Sequence, residues 1–272
     1  MIKISNITAR EILDSRSSPT VEATIVLEGG FKGIASVPSG VSVGKHEALE
    51  LRDNNSQRYH GRGVLKAIAN IEQIIKPKLT VEPVKNQLEL DQKLILLDNT
   101  RNKSKLGANT LLAVSAAFCK AVANWKGIPV YQQIANLFGL IPQTLKIPQP
   151  SFVLIEGGKH GAKNLDFQEF LLIPSSQKTF SEALRLGSEV YQMTKQVLIR
   201  HNAIYSVGDE GGFAPNLFTN LDALEVLKEA IKEAGYEFKK DAFFGLDVAA
   251  SHFYEDGQYK IRDRTMPMAA NE

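Results

Sequence analysis

The sequence has a single cysteine, Cys119, among its 272 residues. One cysteine excludes an internal disulfide and any zinc site built from several cysteines, a composition typical of a reducing compartment. Cys119 lies in an apolar segment of helical character, so a buried and unreactive thiol is expected. The net charge is only +2, with lysines and arginines scattered among acids, which excludes the electrostatic footprint of a nucleic-acid-binding protein.

Long apolar runs are also lacking. The N-terminal residues carry no signal-peptide core, and no later segment is apolar over the length that a bilayer requires. The sequence therefore predicts a cytoplasmic protein without a membrane span.

The N-terminal half reads as a strand meander followed by helices, which is an α+β arrangement. Residues 20–27 alternate between polar and apolar side chains, the period of a half-buried strand. The predicted strands cover residues 2–9, 19–27 and 31–37, and the predicted helices cover 64–75, 86–97 and 108–125. The first helix is expected to end before Pro77.

A proline-rich stretch at 141–150 predicts a boundary between a domain of residues 1–140 and a domain of residues 141–272. Strands and helices alternate after it. Strands are predicted at 151–155, 166–173 and 243–247, and helices at 179–200 and 220–234. Thr179 and Glu182 form a capping-box pattern at the start of the first of these helices.

Glycines surround two adjacent carboxylates, Asp209 and Glu210, in the segment 207–216. Glycine permits unusual backbone conformations, so a loop of this kind can aim a carboxylate toward a site. Taken alone, the same string is also typical of a solvated turn between helices. The choice depends on what the rest of the chain brings near it.

Polar side chains occur where the predicted strands of the second half begin or end. Gln168 and Glu169 open one apolar strand, Asp247 ends another, and His160 lies in a glycine-rich turn. A hairpin of strands 151–155 and 166–173 would bring this turn and Gln168 to one end of a sheet. Acids that converge there with a histidine favour a divalent cation with oxygen ligands, most simply Mg²⁺.

From about Ile4 to about Lys260, the chain resembles the first part of a member of the enolase (phosphopyruvate hydratase) family. The resemblance rests on several specific motifs. They are Ile12-Leu13-Asp14-Ser15-Arg16, Val37-Pro38-Ser39-Gly40, His46 to Asp53, Lys103 to Asn109, Gln168-Glu169-Phe170, the 207–216 loop and Gly245-Leu246-Asp247.

The resemblance implies an α+β N-terminal cap domain followed by an incomplete enolase-type α/β (TIM) barrel, represented by its first three strands and two helices. It implies the hydro-lyase reaction of glycolysis, the reversible dehydration of 2-phosphoglycerate to phosphoenolpyruvate with Mg²⁺. Glu210 resembles the general acid and Glu169 the carboxylate that assists it.

The remaining site residues are also implied by the resemblance. His160 and Gln168, together with Glu169, resemble contacts to the substrate. Asp247 resembles a ligand of the tightly held Mg²⁺, and Ser42 resembles the mobile-loop ligand of a second one.

The sequence departs from the family pattern at several loops and at its end. Glu156 replaces an asparagine, Ser17 a glycine and Val43 a threonine. The residues from Arg262 onward resemble nothing in the family, and the catalytic lysine and further metal ligands have no counterpart. Two hypotheses follow. One is an enolase that is truncated in this sequence or completed by another chain, and the other is an inactive homologue that associates with itself or with an intact enolase.

Overall fold

The structure is a computed structural model that describes residues 1–40, 43–140 and 145–272. These residues fall into two units. The first contains residues 1–40, 46–140 and 145, and the second contains residues 43–45 and 146–272. Each unit has its own cluster of buried apolar side chains.

The first unit is built on an antiparallel sheet of order β1-β2-β3, with strands Ile4–Leu13, Pro19–Leu27 and Lys32–Ser36. The predicted alternation along β2 is confirmed, because its apolar side chains are buried on one face. These buried residues are Val21, Ala23, Ile25 and Leu27. The sheet therefore has one face that the helices of this unit must cover.

The helices of the first unit are α1 (Leu65–Asn70), α2 (Lys76–Leu79), α3 (Gln87–Asp98), α4 (Ala108–Trp125) and α5 (Val130–Leu137). Of these, α4 is the most deeply buried and packs against β2 and β3. Cys119 lies on it and is 9% exposed, which confirms the expected buried thiol. Burial also raises the pKa of this thiol.

The helix predicted to end before Pro77 instead continues beyond it. A π-helical turn, Ile71–Ile75, joins α1 to α2, and Pro77 lies at the start of α2. The first residues of a helix need no N–H donor, so a proline is tolerated there. The prediction was wrong because α2 begins directly after the π-helical turn, which places Pro77 at the second position of a new helix.

The second unit contains the strands β4 (Phe152–Glu156), β5 (Glu169–Pro174) and β6 (Ala242–Asp247). β5 is antiparallel to both neighbours, so β4 and β6 run in the same direction, as the hairpin argument requires. The helices α6 (Phe180–Arg200) and α7 (Asn220–Glu233) both begin with capping boxes. The box predicted at Thr179 and Glu182 is confirmed.

A small hairpin, β7 (Tyr254–Glu255) and β8 (Gln258–Tyr259), precedes the last residues of the chain. The segment after it contacts the body of the unit. The Arg262 N–H donates to an oxygen of Asp166 at 2.9 Å, and a carboxylate oxygen of Asp263 accepts from the N–H of Asn220 at 3.0 Å. An acid at this position stabilises the start of α7, where backbone N–H groups lack helical partners.

An α+β unit is therefore followed by an α/β unit whose strands do not close into a barrel within the described residues. Among these same residues, no helix combines the length and the apolar character needed to cross a bilayer.

A carboxylate–guanidinium pair joins β1 to the segment before α1. The guanidinium of Arg58 donates to both oxygens of Glu11, one of them at 2.9 Å, and the Val64 N–H donates to the same carboxylate at 2.9 Å. The hydrogen bond from Arg58 lowers the pKa of Glu11 against the opposing effect of its burial.

We expect Glu11→Gln to lower the free energy of unfolding of the first unit by about 1–3 kcal/mol at neutral pH, because the partly buried guanidinium of Arg58 loses its hydrogen-bonded carboxylate and keeps only the more distant Asp53, at 3.6 Å. A folded-state pKa below the ordinary value of 4.5 makes this contribution present above pH 4.5 and lost as the pH falls through the folded-state pKa. Urea unfolding of both proteins at neutral and acidic pH measures it.

The matched control is Glu28→Gln, which removes an acid that is 68% exposed and paired with Lys3. We expect this change to cost less than about 0.5 kcal/mol. Equal destabilisation by the two substitutions would contradict the assignment.

Candidate active site

Three acids lie side by side at one end of the β4-β5-β6 sheet. Glu156 is the register partner of Glu169, which in turn is the register partner of Asp247. Directly paired residues of neighbouring strands project from the same face of a sheet. The Gln168 N–H also donates to the Asp247 carbonyl oxygen at 3.0 Å, which fixes the ends of β5 and β6 together.

His160 is held in a tight turn between β4 and β5. The Gly157 N–H donates to the Gln168 carbonyl oxygen at 2.8 Å, and the Gly161 N–H donates to the Gly157 carbonyl oxygen at 2.9 Å. His160 is 7% exposed and Gln168 is 6% exposed. The hairpin therefore buries an imidazole and an amide at the same end of the sheet as the acids.

The segment 207–213, which we call the acid segment, pairs with β4. The Glu156 N–H donates to the Phe213 carbonyl oxygen at 2.8 Å, and the Phe213 N–H donates to the Leu154 carbonyl oxygen at 2.9 Å. Phe213 stacks on Tyr191 of α6, with ring centroids 4.6 Å apart. These contacts place the Glu210 loop beside the ends of the strands, as the prediction of an aimed carboxylate requires.

Glu210, in the acid segment, contacts two residues of the β4–β5 hairpin region, His160 and Glu169. One of its carboxylate oxygens lies 3.5 Å from Nδ1 of His160, and its carboxyl group is hydrogen-bonded to that of Glu169. The Glu210 side chain is 37% exposed, whereas that of His160 is 2% exposed. An accessible carboxyl therefore lies against buried polar groups.

The pKa of Glu169 is raised to about 7. Burial is the largest cause, followed by the hydrogen bond to Glu210 and by the negative charges of Glu210, Asp247 and Glu156. Neighbouring negative charges disfavour ionisation of a carboxyl group, so Glu169 keeps its proton to a higher pH than an isolated glutamate does. A carboxyl group with a pKa near neutral can exchange a proton at neutral pH, as acid–base catalysis requires.

Asp247 is exposed at the end of β6, and its Oδ1 accepts a hydrogen bond from the Ala249 N–H at 3.0 Å. Mg²⁺ takes several oxygen ligands. Within the described ranges, no three or more His, Cys, Asp or Glu side chains are grouped so as to hold a metal ion. Ser42, the other predicted ligand, lies outside the described residues. The described side chains thus do not form a complete Mg²⁺ site.

Sequence reasoning missed the part that Glu156 plays. It is 1% exposed, and its Oε1 accepts hydrogen bonds from the backbone N–H groups of Gly212 at 2.6 Å and Glu210 at 3.2 Å. Burial is the main cause that raises the pKa of Glu156. An acid at the end of an apolar strand, directly before two glycines, was the available signal, but its partners lie more than 50 positions away.

We expect Gly208→Ala to disturb the acid segment. A Cβ atom at Gly208 would lie 2.1 Å from Oε2 of Glu156 and 2.9 Å from the carbonyl oxygen of His160. Overpacking of this kind typically costs about 1–3 kcal/mol. Thermal unfolding measures it, with Gly44→Ala as the control, because a Cβ there would meet nothing within 4 Å. An unchanged melting temperature for Gly208→Ala would contradict the close approach.

Two family models match the chain. The model described as "Enolase, N-terminal domain" matches residues 4–134, and the model described as "Enolase, C-terminal TIM barrel domain" matches residues 144–270. The second match includes residues 262–270, so the expectation that the segment from Arg262 onward is unrelated to the family is wrong. Because models of both enolase domains match in succession and together span nearly the whole sequence, the chain belongs to the enolase family.

Proposed function

We propose that the protein is an enolase-type lyase that interconverts 2-phosphoglycerate and phosphoenolpyruvate, a cytoplasmic step of glycolysis. The observation that carries the proposal is the hydrogen-bonded carboxyl pair of Glu169 and Glu210, placed against the buried ring of His160. Membership of the enolase family supports the same class of reaction.

In the proposed reaction, a base removes the proton from carbon 2, that electron pair forms the double bond to carbon 3, and Glu210 donates a proton to the hydroxyl that leaves carbon 3 as water. No residue of this sequence is assigned as the base. A hydroxide is a poor leaving group, so its protonation in the transition state lowers the barrier. Glu169, whose pKa is raised to about 7, is hydrogen-bonded to Glu210 and assists this proton transfer. His160 and Gln168 contribute buried polar atoms that orient the substrate.

Enolase-family chemistry typically uses Mg²⁺, and a bound Mg²⁺ would stabilise negative charge on the substrate carboxylate. Asp247 and Ser42 are its proposed ligands in this chain. Asp247 supplies a carboxylate at the same sheet end as Glu169. It provides only part of the coordination that Mg²⁺ requires. The roles proposed for Glu210, Glu169, His160 and Gln168 do not involve a bond to the metal.

A second candidate function is that of an inactive homologue, which would bind a second copy of itself or an intact enolase. The observation that favours it is Glu156, which adds a third acid beside Glu169 and Asp247 where the family resemblance implies an asparagine. Additional negative charge at this edge opposes the approach of a phosphate-bearing anion.

Conversion of 2-phosphoglycerate in the presence of Mg²⁺, followed by the ultraviolet absorbance of the enol product, separates the two candidates. The proposed lyase should turn over. If the folded protein shows no turnover but sediments as a dimer, or as a complex with an added intact enolase, the second candidate is supported.

We expect Glu210→Gln to reduce kcat by about 10²- to 10⁴-fold, the usual contribution of a positioned acid or base. The matched control is Glu225→Gln on α7, whose side chain is 61% exposed and pairs with Lys228. The control should retain full activity. Comparable activity of Glu210→Gln and the unmodified protein would remove Glu210 from the reaction.

A further inference from the structure

Glu156 is the most deeply buried acid of the site, and the proposed reaction assigns it no role. It ends β4 directly beneath the acid segment and is 1% exposed. Its backbone N–H already pairs with Phe213 at the end of that segment. The side chain then turns toward the same segment, so one residue contacts it through both backbone and carboxylate.

The carboxylate of Glu156 accepts hydrogen bonds from two backbone amides of the acid segment. Oε1 accepts from the Gly212 N–H at 2.6 Å and from the Glu210 N–H at 3.2 Å. The glycines of the segment make this approach possible. A Cβ at Gly212 would lie 3.0 Å from Cγ of Glu156, and a Cβ at Gly208 would lie 2.1 Å from its Oε2. The backbone is thus wrapped closely around the carboxylate.

We propose that Glu156 is a positioning residue that holds the acid segment in the conformation that presents Glu210 to His160 and Glu169. The effect of this positioning on catalysis rests on the proposed function. The conformational role itself rests only on the two amide hydrogen bonds and the close approach of the glycines. Glu156 acts through Glu210 and has no assigned contact with the reacting atoms.

The hold depends on charge, because a carboxylate accepts N–H hydrogen bonds more strongly than a neutral carboxyl does. Burial raises the pKa of Glu156, and the two amides oppose that rise. The titratable groups that face it are His160, Glu210, Glu169 and Tyr191. Within the described residues its Oε2 has no hydrogen-bond partner, which leaves that atom to take up the proton.

The sign of the pH effect follows. Above its raised pKa, Glu156 is ionised and holds both amides. As the pH falls through that pKa, the carboxylate is neutralised and the two hydrogen bonds weaken. Because burial raises the folded-state pKa of Glu156, protonation also removes the cost of the buried charge and favours the folded unit as a whole, so the loss on acidification is confined to these two hydrogen bonds.

Amide hydrogen exchange, resolved by NMR, tests the role without any measurement of activity. We expect Glu156→Ala to raise the exchange rates of the Gly212 and Glu210 amides by about tenfold or more, since each loses a hydrogen bond to a charged group. Glu156→Gln keeps the shape and a neutral acceptor oxygen, so it should restore only part of the protection. Amides of α6 around Val190 should be unchanged in both variants.

Unchanged exchange at Gly212 and Glu210 in Glu156→Ala would overturn the proposal. An equal increase at Val190 would also overturn it, because Glu156 would then support the whole unit rather than this segment. Both results are independent of turnover. An inactive protein with the expected exchange pattern would reject the proposed reaction and keep the positioning role.

The unmodified protein provides a second test that does not depend on the folding of a variant. The Gly212 amide shift should move with pH through an inflection above the ordinary glutamate range, and that inflection should vanish in Glu156→Gln, whereas an inflection that arises from Glu169 should remain. Glu225→Gln should retain both. Amide shifts that remain flat with pH in the unmodified protein would contradict the proposal.

Discussion

The backbone pairing between the acid segment and β4 is the constraint on which the candidate site depends. Two N–H···O bonds join Phe213 to Leu154 and Glu156, and the Phe213 ring is fixed against Tyr191. Glu210 lies three residues from this anchor. A loop residue thus acquires a position that is set by a strand, which a long flexible loop could not supply.

This arrangement brings several carboxylates close together, which is electrostatically unfavourable. The negative charges of Glu156 and Glu210 help to raise the pKa of Glu169, and Glu156 itself is buried. Two features offset part of the cost. Glu169 and Glu210 share a hydrogen bond, and Glu156 receives two backbone N–H groups. Clusters of carboxyl groups with shifted pKa values in an otherwise stable fold are typical of functional sites.

Local patterns predicted much of this fold. The alternation along β2, the capping box at Thr179 and the hairpin that carries His160 each depend on residues close in sequence. The π turn before Pro77 and the hydrogen bonds of Glu156 were not predictable in this way. Glu156 and Glu210 are 54 positions apart, and nothing in either local sequence specifies that β4 pairs with the acid segment.

The replacement at position 156 shows how one departure from a family pattern can change the contacts within a site. The resemblance implies an asparagine there, whose side chain is shorter by one methylene and carries no charge. The longer glutamate places Oε1 2.6 Å from the Gly212 backbone nitrogen, a shorter distance than in most N–H···O hydrogen bonds. The chain thereby exchanges a neutral polar group for a buried acid, and the geometry of the Glu210 loop becomes linked to the protonation state of that acid.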